Sequence, residues 1–450
     1  MNFYRKIFFV VVLFSSLAGA QENQTLGLQD AINYALENQA DAKKAQLQIE
    51  NTKYQIQEAR AGALPHITGQ GGLMYNPVFM QTAIPSEDFP GGEQNPEPFV
   101  LLELGQRWNA FGGVMLMQNI FDQAVFTGLK AARTTREFYQ INAQLTEEQI
   151  IERVAKAYYN VFVQKEQLAT IDSTYAKVEK SKNIIENLYE NGLAREIDLD
   201  RVKVQLVNLN SSRQQLINAV ELTENSLKFY IGMPIQQNLV LLKEDFDWEA
   251  HLPEENIDTE QRTEMQVLQK QKELLVIQKD AMKAAYYPTL SLMGSYNYMG
   301  QGNKFPIGKG MKDGVHWSDF SMIGLNLEIP IFSGFLNKAR VSKADIELRT
   351  LEEDIKNTEL ALDLEYSNAK SQISNSLISL ESQQENVSLA QKVVDNIESN
   401  YQLGLATLTD LLEAQNALVE AKNNFTNTLL QYKLAEVQLL KAKGELHKLK

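Results

Sequence analysis

The sequence predicts an α+β chain, internally duplicated, in which each half carries a pair of β-strands and a long helical hairpin. Three observations predict it. The first is a repeat. Tyr189-Glu-Asn-Gly192-Leu193-Ala194, ahead of Asp198-Leu199, returns as Tyr401-Gln-Leu-Gly404-Leu405-Ala406, ahead of Asp410-Leu411. The offset of 212 residues (192 to 404) still holds from Gly232 to Gly444. The second is a heptad pattern after each Gly-Leu-Ala turn. It runs through Leu411, Leu418, Phe425, Tyr432, Leu439 and Leu446 in the second half, and through Leu199, Leu206, Arg213, Val220 and Leu227 in the first. A period of about 3.5 sustained this long belongs to helices supercoiled along others. The third is a change of period to two after Leu64-Pro65 and again after Tyr287-Pro288, the alternation of a β-strand.

The elements follow in order. Arg5-Lys6, the apolar stretch Ile7 to Phe14 and the small residues Ala18-Gly19-Ala20 predict a cleaved export signal over 1–20, with the mature chain beginning at Gln21. The apolar stretch is too short to span a bilayer as a helix. Leu28, Ile32, Ala35 and Leu36 have helical spacing within Leu26 to Glu37, and a second helical run from Ala42 ends near Ala61, before Pro65.

Alternation then places Ile67, Gly69, Gly71, Leu73 and Tyr75 on one side of a strand. Trp108 to Ile120 places Ala110, Val114, Leu116 and Ile120 together. In the second half, Leu290, Leu292, Gly294, Tyr296 and Tyr298 answer the first strand. Phe320 to Ile331, with Ile323, Leu325 and Leu327, answers the second. Each has about the 9–11 residues that a tilted transmembrane strand needs. Aromatics gather near the strand ends, as in an interfacial girdle. A soluble antiparallel sheet with one wet face fits the alternation equally well.

Residues 77–107, rich in Pro and acid, and 300–319, rich in Gly, read as surface loops; the glycines lack the strand–loop–helix context of a phosphate cradle. Each second strand feeds a long helix without proline, Asp122 to Glu190 and Phe335 to near Tyr401, about 100 Å each if unbroken. Met233 to Arg262 reads as a lateral insertion, and Met265 to Ala285 returns to helix.

Composition narrows the function. Without Arg5 and Lys6 the 43 basic residues fall to 41 against 57 acidic ones, a net charge of −16 that argues against nucleic acid. There is no cysteine, so an exported chain must hold itself by packing rather than disulfides. No apolar run long enough for a transmembrane helix follows the signal, so residence in a membrane would require a β-barrel. His66, His251, His316 and His447 lie far apart without metal-ligand spacing, and no nucleophile elbow or catalytic triad is present. Neither an enzyme nor a cofactor is expected. Four strands cannot close a barrel alone, because the smallest barrels use about eight, so membrane strands would require oligomerisation. The competing architecture is a coiled-coil scaffold with a small sheet at one end.

These residues carry a resemblance. Leu26-Gly-Leu-Gln-Asp-Ala31-Ile32, the two strand entries at Leu64-Pro65 and Tyr287-Pro288, the exits Ile120-Phe121-Asp122 and Ile331-Phe332-Ser333, both Gly-Leu-Ala tips and Gly232-Met233-Pro234 resemble the outer-membrane efflux protein family, the TolC-like channel subunits. The resemblance covers residues 24–448. It implies an α+β membrane protein of the outer membrane with a periplasmic extension. Four transmembrane β-strands per chain would form a trimeric 12-stranded barrel, continued by long coiled-coil periplasmic helices.

The expected layout is a signal peptide at 1–20 and a first repeat at 21–232, with a β-hairpin at 66–120 and a helical hairpin at 122–231. An equatorial insertion at 233–262 follows, then a second repeat at 263–450, with a β-hairpin at 289–331 and a helical hairpin at 334–448. The implied function is a passive exit duct for a tripartite efflux or type I secretion system. The implied partners are two further copies, a periplasmic adaptor, an inner-membrane pump and outer-membrane lipid. The alternative is a periplasmic coiled-coil scaffold without transport.

The resemblance also marks residues. Asp410 and Glu413 match the acidic constriction ring, with Glu413 in place of the usual second Asp; ringed carboxylates select cations and bind divalent blockers. Their other reading is as first-turn acids favoured by the helix dipole. Tyr401 and Asp198 match a latch that holds the tips closed, but the latch arginine is Ala406 here. Arg195 substitutes for it, caps a helix or faces solvent. Gly192, Leu193, Ala194, Gly404, Leu405 and Ala406 match adaptor-docking tips, and they also serve as helix terminators. The first strand exit departs from the family, with Asn119 where proline is usual and Gln123-Ala124 where glycines are usual, so a less sharply defined bend is expected there.

Overall fold

The computed structural model describes residues 24–90, 97–242 and 259–450. The expected signal over 1–20, His251 and most of the expected insertion lie outside the described residues. The chain divides into two units. One holds the described residues up to Glu50 together with Glu137–Gln271 and Leu351–Lys450; the other holds Asn51–Arg136 and Lys272–Thr350.

The elements are duplicated in length as well as in sequence. Helices α2 (Ala40–Ala61) and α5 (Thr263–Ala284) have 22 residues each. Helices α3 (Gln123–Glu190) and α6 (Leu336–Gln402) have 68 and 67. Helices α4 (Glu196–Ile231) and α7 (Leu408–Lys443) have 36 each.

The core of the first unit lies where α1 (Leu28–Asn38) meets α3, α4 and α7. Ile32, Ile150, Val154, Tyr158, Leu227 and Ile231 are buried together there. Leu26, expected in the first helix, instead lies in a short strand, β1 (Gln24–Leu26), paired in parallel with β6 (Leu239–Leu241). Gly27, between this strand and α1, donates its N–H to Asp30 Oδ2 at 3.1 Å, so the helix starts at Leu28, two residues later than expected. Gly232 closes α4 in the left-handed conformation (φ 76°), with Met233 N–H bonded to Lys228 O at 2.8 Å. This 6→1 bond is the mark of a Schellman cap. The heptad seam of α7 faces inward as expected: Leu411, Leu418, Tyr432, Leu439 and the small residues Ala414, Ala421, Ala435 and Ala442 are all buried.

The second unit contains one antiparallel sheet in the order β2 (His66–Tyr75), β5 (Trp108–Phe121), β7 (Thr289–Gly302), β8 (Val315–Glu328). The β5–β7 ladder joins the two repeats. Register puts Ile67, Leu73, Val114, Leu116, Leu290, Leu292, Ile323, Leu325 and Leu327 on one face. At the loop end of that face, Tyr75 meets Trp108 at 4.7 Å between ring centroids and Tyr298 stacks on Trp317 at 4.9 Å. The Trp317 ring lies over Gly300, where a Cβ would come within 2.5 Å of it. The other face carries Thr68, Gln70, Asn109, Ser291, Ser295 and Asn297. No strand among the described residues pairs with the outer edges of β2 and β8.

Three expectations are corrected here. Residues 77–107 are not simply a loop: they contain a hairpin, β3 (Met80–Pro85) paired with β4 (Phe99–Leu104). The five prolines and the acids of this segment hid two apolar runs able to pair. The loop expected at 300–319 is shorter, because β7 continues to Gly302 and β8 begins at Val315. The last strand therefore ends at Glu328 rather than Ile331. Pro330 has no N–H for a ladder, and the chain bends through Gly334 (φ 61°) and Phe335 (φ 63°) into α6. At the first exit, Asn119 keeps its N–H. There β5 runs on to Phe121 through a register shift, and Asn119 Nδ2 donates to Gly62 O at 3.3 Å.

Candidate functional site at the helix tips

Both tips lie in the first unit and are built alike. Gly192 (φ 75°) and Gly404 (φ 76°) end α3 and α6 in the left-handed conformation. Leu193 N–H bonds Leu188 O at 2.7 Å, and Leu405 N–H bonds Asn400 O at 2.8 Å, each a Schellman closure. The closure throws Leu193 and Leu405 outward, each 76 % exposed. Ala194 and Ala406 beside them are half-buried.

Behind the tips the two repeats share one apolar cluster. Ile185, Leu199, Val202 and Leu408 are buried in it, with Ala194, Leu412 and the Tyr401 ring packed against them. The structure thus brings Tyr401 and Asp198 together. Burial, and then the Asp198 charge, push the Tyr401 phenol above its ordinary value. The Asp198 carboxylate is held by Arg195, which donates from Nε at 2.9 Å and from a terminal nitrogen at 3.2 Å. That hydrogen bond, with the Asp198 charge, raises the Arg195 pKa further. Arg195 thus pairs with an acid three residues on in its own helix while its side chain stays 76 % exposed, and it stands at the N-cap of α4 without a side-chain cap bond.

Asp410 is the third residue of a capping box at the start of α7. Its Oδ2 accepts from the Thr407 N–H at 2.8 Å and from the Thr407 hydroxyl at 2.7 Å, while its own N–H donates to Thr407 Oγ1 at 3.2 Å. The hydroxyl bond, then the backbone bond, hold its carboxyl below the usual range. It nevertheless remains exposed and charged. Glu413, one turn on, is also exposed.

Sequence reasoning missed the ties between the tips' stems. Arg201 donates to Thr409 Oγ1 and Gln205 Nε2 to Asn416 Oδ1, both at 2.5 Å, joining α4 to α7. Arg213, sitting in a heptad seam, pairs with Asp172 at 2.5 Å. Only Thr407 had a local signal: Thr407-x-x-Asp410 is a capping-box spacing. Among the described residues no group of three or more His, Asp or Glu side chains is placed to hold a metal ion. No helix there is long and apolar enough to cross a membrane.

Comparison with known proteins decides the family. The pattern of the outer membrane efflux protein family matches residues 31–233 and 259–445. The chain belongs to the outer membrane efflux protein family. It is 22 % identical over 423 residues to the outer membrane protein TolC of Vibrio cholerae, covering 93 % of this chain and 91 % of that one. It is 21 % identical over 425 residues to the probable outer membrane lipoprotein SilC of Salmonella typhimurium, covering 92 % and 84 %. Its fold is similar to the Campylobacter jejuni CmeC outer membrane channel, with a TM-score of 0.72, 17 % identity, and 93 % and 86 % of the chains covered. The VceC outer membrane protein of Vibrio cholerae gives a TM-score of 0.69 at 16 % identity, over 93 % and 96 %. As a member of this family the protein is an outer-membrane, channel-type protein of transport, with the α+β, duplicated, strand-and-coiled-coil fold the sequence predicts.

Proposed function

We propose that three copies of this chain join their sheets into a twelve-stranded barrel in the outer membrane, forming the passive exit duct of a tripartite efflux or type I secretion system. The observation that carries this reading is the sheet. One face is apolar and ends in an aromatic band, the other mixes polar side chains with methionines, and among the described residues neither outer edge of the sheet has a partner strand. Lipid suits the first face, water the second, and open edges cannot persist in lipid. Helix α6 adds a second apolar stripe, with Leu360, Leu364, Ile378, Leu389 and Val393 exposed, which suits a neighbouring copy.

In the same reading the chain is two repeats, 21–232 and 263–450, about an insertion at 233–262. Asp410 and Glu413, repeated by a three-fold axis, form carboxylate rings at the periplasmic entrance. Tyr401, Asp198 and Arg195 hold the tips closed, aided by Arg201 on Thr409. The exposed Leu193 and Leu405 meet a periplasmic adaptor that recruits an inner-membrane pump, and the pump selects the cargo.

Single-channel recording of the purified protein in planar bilayers tests this. Small, cation-selective openings blocked by divalent ions are expected. Glu413→Gln should weaken the block while leaving the Thr407–Asp410 cap intact. Openings with unchanged block would move the gate away from Glu413. Absence of membrane insertion by folded protein would overturn the channel.

A further inference from the structure

We infer that the polar face of the sheet carries a soft-metal site, formed by Met115, Met117, Met293 and His66, for a monovalent cation of the Cu(I) or Ag(I) class. The four strands of the sheet contain six methionines, Met74, Met115, Met117, Met293, Met299 and Met322. Register places all six on the same face, opposite the leucines and isoleucines. Apolar filling alone would use Leu on either face, as the lipid-side face does. What Met adds is a polarisable thioether sulfur.

The centre of the cluster is a cross-strand row. Met117 on β5 is paired with His66 on β2 and with Met293 on β7. Side chains so paired have Cβ atoms about 4.5–5.5 Å apart. Met115 lies one step along β5 on the same face, about 7 Å away along the strand, flanked by Thr68 and Ser295. Both β5 methionines are exposed on this face. The fourth ligand is oriented from behind. His66 Nδ1 lies 3.0 Å from Leu64 O. A carbonyl can only accept, so Nδ1 carries the proton and Nε2 keeps its lone pair for a metal.

Three thioethers and one imidazole make a soft donor set that suits Cu(I) or Ag(I). The immediate neighbours Thr68, Ser295 and Gly324 are uncharged, so nothing there favours Mg²⁺ or Ca²⁺, which need oxygen anions. Calling the face lumenal rests on the channel reading; the ligand set does not.

The test is titration of the detergent-solubilised protein with Ag⁺ in chloride-free nitrate buffer, followed by calorimetry and by the ¹³C-methyl signals of methionine. The chain has no cysteine to compete. One Ag⁺ per chain is expected, with the methyl signals of Met115, Met117 and Met293 moving. Met115→Leu/Met117→Leu/Met293→Leu conserves volume and should weaken binding by about tenfold or more, as even lesser ligand perturbations do. The control Met80→Leu/Met311→Leu, outside the four-stranded sheet, should bind as wild type. Undiminished binding by the triple variant, or unmoved signals of Met117 and Met293, would overturn the site.

A separate arm tests the lumen. In lipid, Thr68→Cys should react with a membrane-impermeant thiol reagent and Leu325→Cys should not. Equal labelling would remove the channel reading and leave the Ag⁺ result to be judged alone.

Discussion

Asp410 does two things that mutation can separate. Its carboxylate closes the capping box with Thr407, and in the proposed duct its exposed charge lines the entrance. Thr407→Ala removes the cap and leaves the charge; N-cap losses of this kind cost about 1 kcal/mol. Its expected effect is faster hydrogen exchange of the first turn of α7 with divalent block retained, whereas Glu413→Gln should do the reverse. The pH dependence has a definite sign. A carboxyl held below its ordinary value stabilises the folded tip above the unfolded pKa, and that contribution fades as pH falls through the folded value. Protection of the α7 first turn should therefore be lost in acid, earlier in Thr407→Ala than in wild type. Much at this scale was legible. The spacings Thr407-x-x-Asp410 and Arg195-x-x-Asp198 are local, and helix geometry alone brings such residues together. Arg201 on Thr409 and Gln205 on Asn416 were not legible. They lie 208 and 211 residues apart, and only the relative register of two helices sets them opposite each other.

Among the described residues, four helices end on a left-handed glycine, and these ends are not equivalent. At Gly192 and Gly404 a Cβ would meet nothing within 4 Å; at Gly232 it would lie 2.9 Å from the backbone carbonyl of Asn38. Alanine at either tip should cost only the strain of the left-handed conformation, about 1–2 kcal/mol. Gly232→Ala adds a backbone clash that cannot relax without moving α1 off α4, so its loss in denaturant midpoint should be clearly the largest of the three. A second junction ties α3, α6 and α7 to the start of α5. Arg262, 2 % exposed, donates to Ala442 O at 2.8 Å and pairs with Glu264 at 2.7 Å. Lys441 bridges Glu365 at 3.1 Å and Glu152 at 3.4 Å. Burial opposes the Glu152 charge, yet Lys156 and Lys441 outweigh it and lower its pKa. Burial likewise opposes the Lys441 charge, yet Glu152 and Glu365 raise its pKa. The junction is thus complete at neutral pH, lost in acid as Glu152 titrates and lost in alkali as Lys441 does. Arg262→Ala takes the cation from Glu264 and the donor from Ala442 O and should cost about 1–3 kcal/mol, read from chemical denaturation. The helix lengths and the heptad seams were plain in the sequence. The β3–β4 hairpin was not, because its pairing spans a proline- and acid-rich connection that on composition alone reads as loop.

At the scale of the molecule the decisive question is which side of the sheet meets lipid. The alternation in the sequence left a soluble sheet and a membrane sheet equally possible, since both need one apolar face. What separates them is the edges. A soluble sheet can leave an edge to water, but β2 and β8 flank a face on which Ile323 is 84 % exposed and Leu325 stands beside it. Neither the sequence of one chain nor its fold can supply the strands that complete this sheet, because they belong to other copies in the proposed barrel. Neighbouring residues on β8 make a controlled test. Ile323 points to the apolar face, and Gly324, where an added Cβ meets nothing within 4 Å, points to the polar one. They sit at the same depth, so lysine at each differs only in what surrounds the charge. In lipid, Ile323→Lys should cost about 2–4 kcal/mol near mid-membrane, and heat-modifiable trimers recovered from the outer membrane should fall sharply. Gly324→Lys faces water in the barrel and should assemble as wild type. If the two variants assemble equally well, the face bearing Ile323 does not meet lipid. The sheet would then be a soluble one whose edges are covered in another way, and the duct would have no wall.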